Sequence, residues 1–155
     1  MSVTIILINP EIPPNTGNIA RLCAATNTPL HIVGSPNFDL SEKALKRAGL
    51  DYWHLVTVST YPDIHNYISQ LDPSTTFIVT TKSTTNYTDI TYPNTTNLIF
   101  GNESSGLPQW IHDHFSQKKV TIPMKNTEQG MRSLNLANSV SIVLYEVLRQ
   151  HAYFH

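Results

Sequence analysis

The last quarter of the chain contains IPMKNTEQGMRSLNLANSVS at residues 122–141, and this stretch carries the strongest indication of both fold and site. A short apolar run ends at its start, and a polar loop containing Gly130 leads into a helix predicted over residues 133–151. That helix is otherwise apolar through Leu148, yet small polar residues such as Ser133 and Asn135 open it. Because the start of a helix offers free N–H groups to polar ligands, the stretch predicts a ligand site where the last helix begins.

Outward from this stretch, apolar β-branched runs alternate with helical patterns along the chain. The predicted strands cover residues 3–8, 30–33, 54–58, 77–80, 97–100 and 119–122. The other predicted helices cover residues 16–26, 42–48, 61–71 and 108–115, and the prolines before the first of them predict an extended loop. The alternation predicts a single α/β domain over residues 1–155 with a mostly parallel sheet. In such sheets ligands bind beyond the carboxyl ends of the strands.

The composition excludes several classes of protein. Charged residues make up 14% of the 155 residues and the net charge is −1, so only a local basic patch could hold nucleic acid. Cys23 is the only cysteine, which excludes an intrachain disulfide and a zinc site built on thiolates. The seven histidines show no metal-binding spacing, and we expect no metal and a surface position for His112 and His114. The first apolar run is too short for a membrane span or a signal peptide, so we expect a soluble cytoplasmic protein without a membrane partner.

Two further loops follow predicted strands and carry chemically useful side chains. In the first, Asn15 is followed by Arg21, within two turns of the predicted helix start; its planar guanidinium suits a phosphate, but capping and a solvated arginine explain the pattern equally well. In the second, Gly101 permits close approach of a ligand, and Glu103 could accept hydrogen bonds or act as a base. A tight turn into the next helix also explains this second loop, which matches neither the Walker nor the dinucleotide pattern.

In this order, the three segments resemble the signature motifs of the SPOUT class of RNA methyltransferases. NPEIPPNTGNIARL at residues 9–22 resembles the first motif, IFGNESSGLP at residues 99–108 the second, and residues 122–140 the third. Within the class, the chain is most similar to the compact branch without an appended RNA-binding domain, the tRNA (cytidine/uridine-34)-2'-O-methyltransferases. RAGLDY at residues 47–52 is also similar to that branch.

The resemblance implies a fold, a cofactor and partners. The fold would be the SPOUT fold, with helices on both faces of the sheet and a C-terminal trefoil knot, a feature nearly absent among other folds. S-adenosylmethionine would bind within the knot and donate its methyl group to the ribose 2'-hydroxyl of the wobble nucleotide of a tRNA. The working form would be a homodimer, which the nearly continuous apolar face of the last helix would allow.

The resemblance also implies a role for each site residue. The residues that would hold the cofactor are Val79, Gly101, Ile122, Ser133 and Leu134. Ser133 and Asn135 would lie beside its methionine part and the transferred methyl group. Arg21 would activate the hydroxyl or anchor the target phosphate, and Asn15 and Glu103 would orient Arg21 or the nucleotide. The residues that would contact RNA phosphates are Lys43, Lys46, Arg47 and Arg132, although the three that share a predicted helix face also suit an ordinary solvated surface.

Three other functions stay open from the residues alone. The same chemistry could act on another tRNA position or on ribosomal RNA, which mapping of the methyl group would reveal. The chain could instead be a non-catalytic module that binds RNA or senses the cofactor, which transfer of labelled methyl to tRNA would exclude. A flavodoxin-like nucleotide binder would prefer flavin mononucleotide to S-adenosylmethionine in a calorimetric comparison.

Overall fold

Strand β1 (Ser2–Ile8) lies inside a six-stranded sheet in the computed structural model, which describes residues 1–40 and 50–153. The other strands are β2 (Leu30–Val33), β3 (Val58–Tyr61), β4 (Thr76–Val79), β5 (Thr95–Phe100) and β6 (Lys119–Val120). The helices are α1 (Pro13–Thr26), α2 (Ile64–Ser69), α3 (Gln109–His114) and α4 (Leu136–Gln150), with 3-10 helices at Leu50–Leu55 and Asn126–Gln129. The strands run parallel in the order β3-β2-β1-β5-β4-β6, which confirms the predicted α/β fold.

The position of β1 explains its unbroken apolar sequence. It pairs with β2 on one side and β5 on the other, so that Ile5 lies opposite both Leu30 and Leu98. Helices cover both faces of the sheet here, and the side chains of Ile5 and Ile6 are fully buried. A strand buried on both faces needs apolar residues at consecutive positions rather than at alternate ones.

Alternate residues of β1 belong to two separate cores. Ile5 and Leu7 pack with residues of α1 and α4 in the larger core. Ile6 and Ile8 pack with residues of α2 and α3 in the smaller one. The sheet therefore carries helices on both faces, as the resemblance implied.

The prediction of a strand at residues 54–58 is wrong. Residues Leu50–Leu55 form a 3-10 helix, and the strand is Val58–Tyr61. Its position follows from parallel pairing with β2, which places Val58 beside Leu30 and Tyr61 beside Val33. Apolar side chains before Val58 pack against the larger core from outside the sheet. A short apolar run of this kind cannot be distinguished from a strand by its pattern alone.

The helix predicted at residues 61–71 is shorter than expected, because Tyr61 belongs to β3 and the helix covers only Ile64–Ser69. Asp63 sets its start, since the Asp63 carboxylate accepts a hydrogen bond from the N–H of Asn66 at 3.0 Å. The helix predicted at residues 42–48 lies outside the described residues.

Two helix starts differ from the prediction in opposite directions. Helix α1 begins at Pro13 instead of residue 16, because proline fits the first turn, where its missing N–H would have had no partner. Helix α4 begins at Leu136 instead of residue 133, because Asn135 caps it by accepting a hydrogen bond from the N–H of Asn138 at 3.2 Å. Ser133 therefore lies in the preceding loop.

The parallel sheet brings the three motif segments to one edge. The loops after β1, β5 and β6 all leave the sheet at the carboxyl ends of their strands, so they converge although they are far apart in the chain. Within residues 1–40 and 50–153, no helix combines the length and the apolar character needed to cross a membrane.

Candidate active site

A cavity of about 450 Å³ opens at this carboxyl edge, where β4, β5 and β6 end. The residues assigned to the cofactor all line it, namely Val79, Gly101, Ile122, Ser133 and Leu134. The lining also contains Asn15, Glu103, Arg132 and Asn135 from the remaining predicted site residues. The fold thus brings together side chains from both ends of the chain.

A chain of hydrogen bonds joins the three loops at the cavity. The side-chain amide of Asn135 donates to Oδ1 of Asn15 at 3.1 Å, and the amide of Asn15 donates to Oε1 of Glu103 at 3.5 Å. An ionised carboxylate only accepts hydrogen bonds, so Glu103 determines that the nitrogen of Asn15 faces it. The oxygen of Asn15 is then left for Asn135. Glu103 therefore sets which group donates and which accepts in each of these hydrogen bonds.

The backbone of the first loop holds Glu103 in place. Its Oε2 atom accepts a hydrogen bond from the N–H of Glu11 at 2.8 Å. Ser104, the next residue, donates its hydroxyl to the carboxylate of Glu11 at 2.6 Å. These two contacts tie the loop after β1 to the loop after β5. The polar groups of the cavity are consequently positioned by contacts between neighbouring loops.

Gly101 is needed for the shape of the cavity wall. The loop after β5 folds back on itself, and the N–H of Gly106 donates to the carbonyl of Asn102 at 3.2 Å. A Cβ atom on Gly101 would lie 2.3 Å from the carbonyl carbon of Gly106 and 2.5 Å from the backbone nitrogen of Leu107. The close approach expected at Gly101 is therefore made by the loop of the chain itself, and only glycine leaves room for it.

Arg21 is a predicted catalytic residue that does not line the cavity of its own chain. It is exposed on α1, and its guanidinium carbon lies 5.1 Å from the centre of the Tyr52 ring. From Asn15 to Arg21 an α-helix advances about 9 Å and turns through about 240°. Arg21 therefore points away from the side of α1 that carries Asn15 to the cavity.

The predicted RNA contacts divide into two groups. Arg132 is exposed and lines the cavity. Lys43, Lys46 and Arg47 lie outside the described residues. Lys82 also lines the cavity, and sequence reasoning missed it although it closely follows a predicted strand.

His112 was expected at the surface, and that expectation is wrong. The side chain is 2% exposed, lies in α3 and lines the cavity. Burial lowers the pKa of His112, and the positive charges of Lys119 and Lys82 lower it further against a smaller opposing effect of Asp113. The imidazole is therefore neutral at pH 7. The available signal was the position of its helix, which directly follows the second motif.

Cys23 contributes packing and not reactivity. It lies in the larger core, and burial raises the pKa of its thiol to about 12, so that the thiolate is not populated at neutral pH. In the part of the chain that the structure describes, no group of three His, Cys, Asp or Glu side chains is placed to hold a metal ion.

Replacing Glu103 with glutamine is expected to lower the free energy of unfolding by about 1 kcal/mol. The new amide places a donor where the carboxylate accepted two hydrogen bonds, so either the N–H of Glu11 or the amide of Asn15 loses its partner. Thermal unfolding measures the change. Asp113→Asn is the matched control, because it neutralises an exposed carboxylate that accepts from Gln109 at 3.0 Å, and it should alter stability by less than about 0.5 kcal/mol. Equal effects of the two substitutions would contradict a carboxylate-directed network.

The sequence and the fold are similar to those of known proteins. A model of the SpoU rRNA Methylase family matches residues 2–145. A protein of Escherichia coli (strain K12) named tRNA (cytidine(34)-2'-O)-methyltransferase is 42% identical over 152 residues, which cover 97% of this chain and 95% of the relative. A solved structure described as "Structural insights into the 2-OH methylation of C/U34 on tRNA" has a TM-score of 0.88 at 35% identity, covering 97% of this chain and 91% of its own.

A more distant structure shares the fold. It is the SpoU methyltransferase AviRb from Streptomyces viridochromogenes, in complex with the cofactor AdoMet. It has a TM-score of 0.84 at 21% identity and covers 97% of this chain and 58% of its own. At this identity the similarity is one of architecture.

Proposed function

Since the chain belongs to the SpoU rRNA Methylase family, we propose that it transfers a methyl group from S-adenosylmethionine to the ribose 2'-hydroxyl of nucleotide 34 in tRNA. Membership confirms the class of RNA methyltransferase predicted from the three motif segments. The E. coli tRNA (cytidine(34)-2'-O)-methyltransferase is 42% identical to this chain over nearly its full length. This similarity supports nucleotide 34 as the target, in preference to another tRNA position or to ribosomal RNA.

The cavity where the three segments meet is the observation that carries the proposal. Its volume of about 450 Å³ is in the range of roughly 300–1,000 Å³ that small-molecule sites have. Apolar side chains such as Val79 and Ile122 suit a flat purine, and Ser133 and Asn135 suit the charged amino-acid part. S-adenosylmethionine combines these two parts, so the residues present fit it. The AdoMet complex of a protein with the same fold agrees with this choice.

The orientation of Arg21 supports a homodimer as the working form. Arg21 is exposed and faces away from the cavity of its own chain. A catalytic role for it therefore requires a second chain, whose cavity would receive the guanidinium. The apolar face of α4 is buried in the larger core and is not free for such pairing. Tyr145 on α4 and Tyr153 beyond its end are 46% and 40% exposed, and we propose that they contribute to the pairing surface. We assign Arg21 to the site of the partner.

The chain contributes positioning and charge to the reaction. S-adenosylmethionine supplies an electrophilic methyl group on a positively charged sulfur, and the protein must place the 2'-hydroxyl in line with it. Positioning of this kind lowers a barrier by roughly 7–11 kcal/mol in well-oriented systems. Arg21 is a poor base, because a guanidinium group holds its proton too tightly to accept another. We therefore assign it to anchoring the target phosphate and polarising the hydroxyl, whose proton leaves to phosphate or water.

The hydrogen-bonded amides of the cavity have a second role in this scheme. Asn15 and Asn135 present polar groups whose direction is set by Glu103. We propose that they orient the nucleotide and the methionine end of the cofactor, with Ser133 beside them. Because these groups are already ordered by one another, little reorganisation is required when the substrates bind.

Recognition of the anticodon loop suits this site. A wobble nucleotide is unpaired and can leave its stack, so its ribose can reach a cavity that a paired nucleotide in a stem could not enter. We propose that Arg132 at the cavity, together with Lys43, Lys46 and Arg47, contacts the phosphates. We also propose that the C-terminal segment forms the trefoil knot expected from the resemblance, and that the protein acts in the cytoplasm with its tRNA substrate.

Incubation with tRNA that lacks the modification and with labelled S-adenosylmethionine tests the function. Nucleoside analysis should reveal 2'-O-methylcytidine or 2'-O-methyluridine at position 34. A matched tRNA with a 2'-deoxyribose at position 34 removes only the accepting hydroxyl and should take up no label. Label on the deoxyribose substrate, or at another nucleotide, would contradict the proposed target. No transfer to any tRNA, together with tight binding of flavin mononucleotide, would favour the nucleotide binder instead.

A further inference from the structure

A second pocket, the side pocket, lies beside the cavity at the same edge of the sheet. Asn9, Gly34 and Pro62 line it, and each is the first residue after a strand, namely after β1, β2 and β3. Asn102 and Ser104 line both the side pocket and the cavity. The loop after β5 therefore separates two neighbouring sites that open at one edge.

The side-chain amide of Asn9 has a fixed orientation. Its Oδ1 atom accepts a hydrogen bond from the backbone N–H of Ser35 at 2.8 Å. A backbone N–H only donates, so the oxygen of the amide faces Ser35 and the nitrogen points away from it. A Cβ atom on Gly34 would lie 2.0 Å from this oxygen, so the amide is packed closely against the loop after β2. Within residues 1–40 and 50–153, Nδ2 of this partly exposed residue has no hydrogen-bond partner and can donate to a ligand.

Asn102 carries a second amide that is held in the same way. Its Oδ1 atom accepts hydrogen bonds from the backbone N–H of Ser105 at 2.9 Å and from the Ser105 hydroxyl at 2.8 Å. Asn102 is partly exposed, and its Nδ2 atom forms no hydrogen bond with any described residue. The loops of the chain thus orient two amide donors at the side pocket.

The charge of the side pocket favours a nucleobase over a phosphate. Glu11 contributes a carboxylate, one oxygen of which accepts a hydrogen bond from Ser104 at 2.6 Å. Among the described residues that line the pocket, none is lysine or arginine. A phosphate would be repelled by Glu11. A neutral base would instead offer acceptor atoms to the two amides and a flat face to Pro62 and Ile64.

We propose that the side pocket binds the pyrimidine base of nucleotide 34, and that Asn9 and Asn102 donate hydrogen bonds to its O2 atom. The inference rests on the proposed function, which places the ribose of that nucleotide at the cavity. The base is attached to the carbon next to the one that bears the 2'-hydroxyl, so a ribose at the cavity brings its base to the adjoining loop after β5. Cytosine and uracil share the O2 acceptor and differ in the group at position 4. Recognition through O2 therefore accepts both bases.

The test uses tRNAs that carry cytidine, uridine or an abasic ribose at position 34. The abasic ribose keeps the 2'-hydroxyl and removes only the base. Asn9→Asp keeps an oxygen for the N–H of Ser35 and replaces the amide donor with an acceptor. The variant should lower kcat/KM roughly tenfold on both the cytidine and the uridine tRNA. On the abasic tRNA, this tenfold loss should disappear.

Asn66→Asp controls for the added negative charge. Asn66 is exposed on α2 and does not line the side pocket. General repulsion of RNA acts through the phosphates, so Asn66→Asp should affect all three tRNAs by the same factor. Neither Asn9 nor Asn66 lines the cavity, and calorimetry should give both variants the wild-type affinity for S-adenosylmethionine.

Two further measurements keep the comparison decisive. If the abasic ribose reacts too slowly to measure, the affinities for the same three tRNAs, with S-adenosylhomocysteine bound, replace kcat/KM. Asn102→Asp replaces Asn9→Asp if that variant does not fold, because it also retains the oxygen that Ser105 requires.

The outcomes separate this inference from the proposed function. If the wild-type protein methylates nucleotide 34 and Asn9→Asp loses the same factor on the cytidine and the abasic tRNA, or loses nothing on either, the base contact is refuted and the function stands. A wild-type protein that handles the abasic tRNA as well as the cytidine tRNA would also refute it, as would a weaker affinity of Asn9→Asp for S-adenosylmethionine. If the wild-type protein methylates no tRNA at nucleotide 34, the proposed function fails, and the inference fails with it.

Discussion

Replacing Arg21 with alanine is expected to reduce methyl transfer by about 10²- to 10³-fold while S-adenosylmethionine binds as tightly as before. The guanidinium is exposed beside Tyr52 and does not line the cavity of its own chain, so its loss leaves the cofactor site intact. Single-turnover rates and calorimetry measure the two quantities. Arg21→Lys should recover only part of the rate, because an ammonium keeps the charge but lacks the planar fork.

The sharpest version of this experiment mixes two inactive variants. Arg21→Ala retains an intact cavity, and Ser133→Tyr blocks the cavity but retains Arg21. If the site is shared between chains, random mixing yields half mixed dimers with one working site each, or about a quarter of the wild-type activity. If Arg21 acts in its own chain, the mixture stays inactive.

An arginine elsewhere on the surface provides the control for Arg21. Arg149 forms an ion pair with Glu146 at 2.8 Å, and its side chain is 71% exposed. Arg149→Ala should keep full activity and leave the melting temperature almost unchanged, because an exposed ion pair contributes little to stability. Full activity of Arg21→Ala would remove Arg21 from both proposed roles.

Replacing Gly101 with alanine is expected to destabilise the protein by about 3 kcal/mol and to weaken cofactor binding at least tenfold. The new Cβ would lie 2.3 Å and 2.5 Å from backbone atoms of Gly106 and Leu107, which cannot rotate away as a side chain can. The loop after β5 must shift, and with it one wall of the cavity. A loss of 3 kcal/mol corresponds to a fall of roughly 6–12 °C in melting temperature for a chain of this size.

Gly130→Ala separates the effect of crowding from that of backbone strain. Gly130 has a φ of +98°, but an added Cβ meets nothing within 4 Å, and the residue does not line the cavity. The variant should lose only about 1–2 kcal/mol of stability and keep its affinity for the cofactor. If Gly101→Ala binds the cofactor with normal affinity, the tight loop after β5 does not determine the shape of the cavity.

The convergence of Asn15, Glu103 and Asn135 was predictable from the sequence. Each follows an apolar run that ends in polar or glycine residues, and parallel strands present their carboxyl ends at one edge. The resemblance to a known class then assigned the cavity residues individually. The order of the hydrogen bonds among the three side chains was not predictable. It depends on the exact positions of the loops, and a sequence pattern does not specify these positions at hydrogen-bond precision.

The misplaced elements have a common physical cause. The strand expected at residues 54–58 and the start of α4 both depend on tertiary contacts, namely pairing with β2 and the capping by Asn135. His112 was misjudged because histidine is usually at least partly exposed, and only the fold places its helix against the cavity. The direction of Arg21 likewise required knowledge of where α1 begins, since each residue turns a helix by about 100°.

The strand order of the sheet has a consequence for synthesis of the chain on the ribosome. Strand β1 emerges first, yet one of its two neighbours is β5, which begins only at Thr95. Until then one edge of an apolar strand is unpaired. The hydrogen bonds that Glu103 accepts from Glu11 and that Asn135 donates to Asn15 form still later. Contacts this distant in sequence make folding slow and leave nascent chains open to aggregation. Chaperones that shelter unpaired strands should therefore raise the yield of active protein more than they raise its final stability.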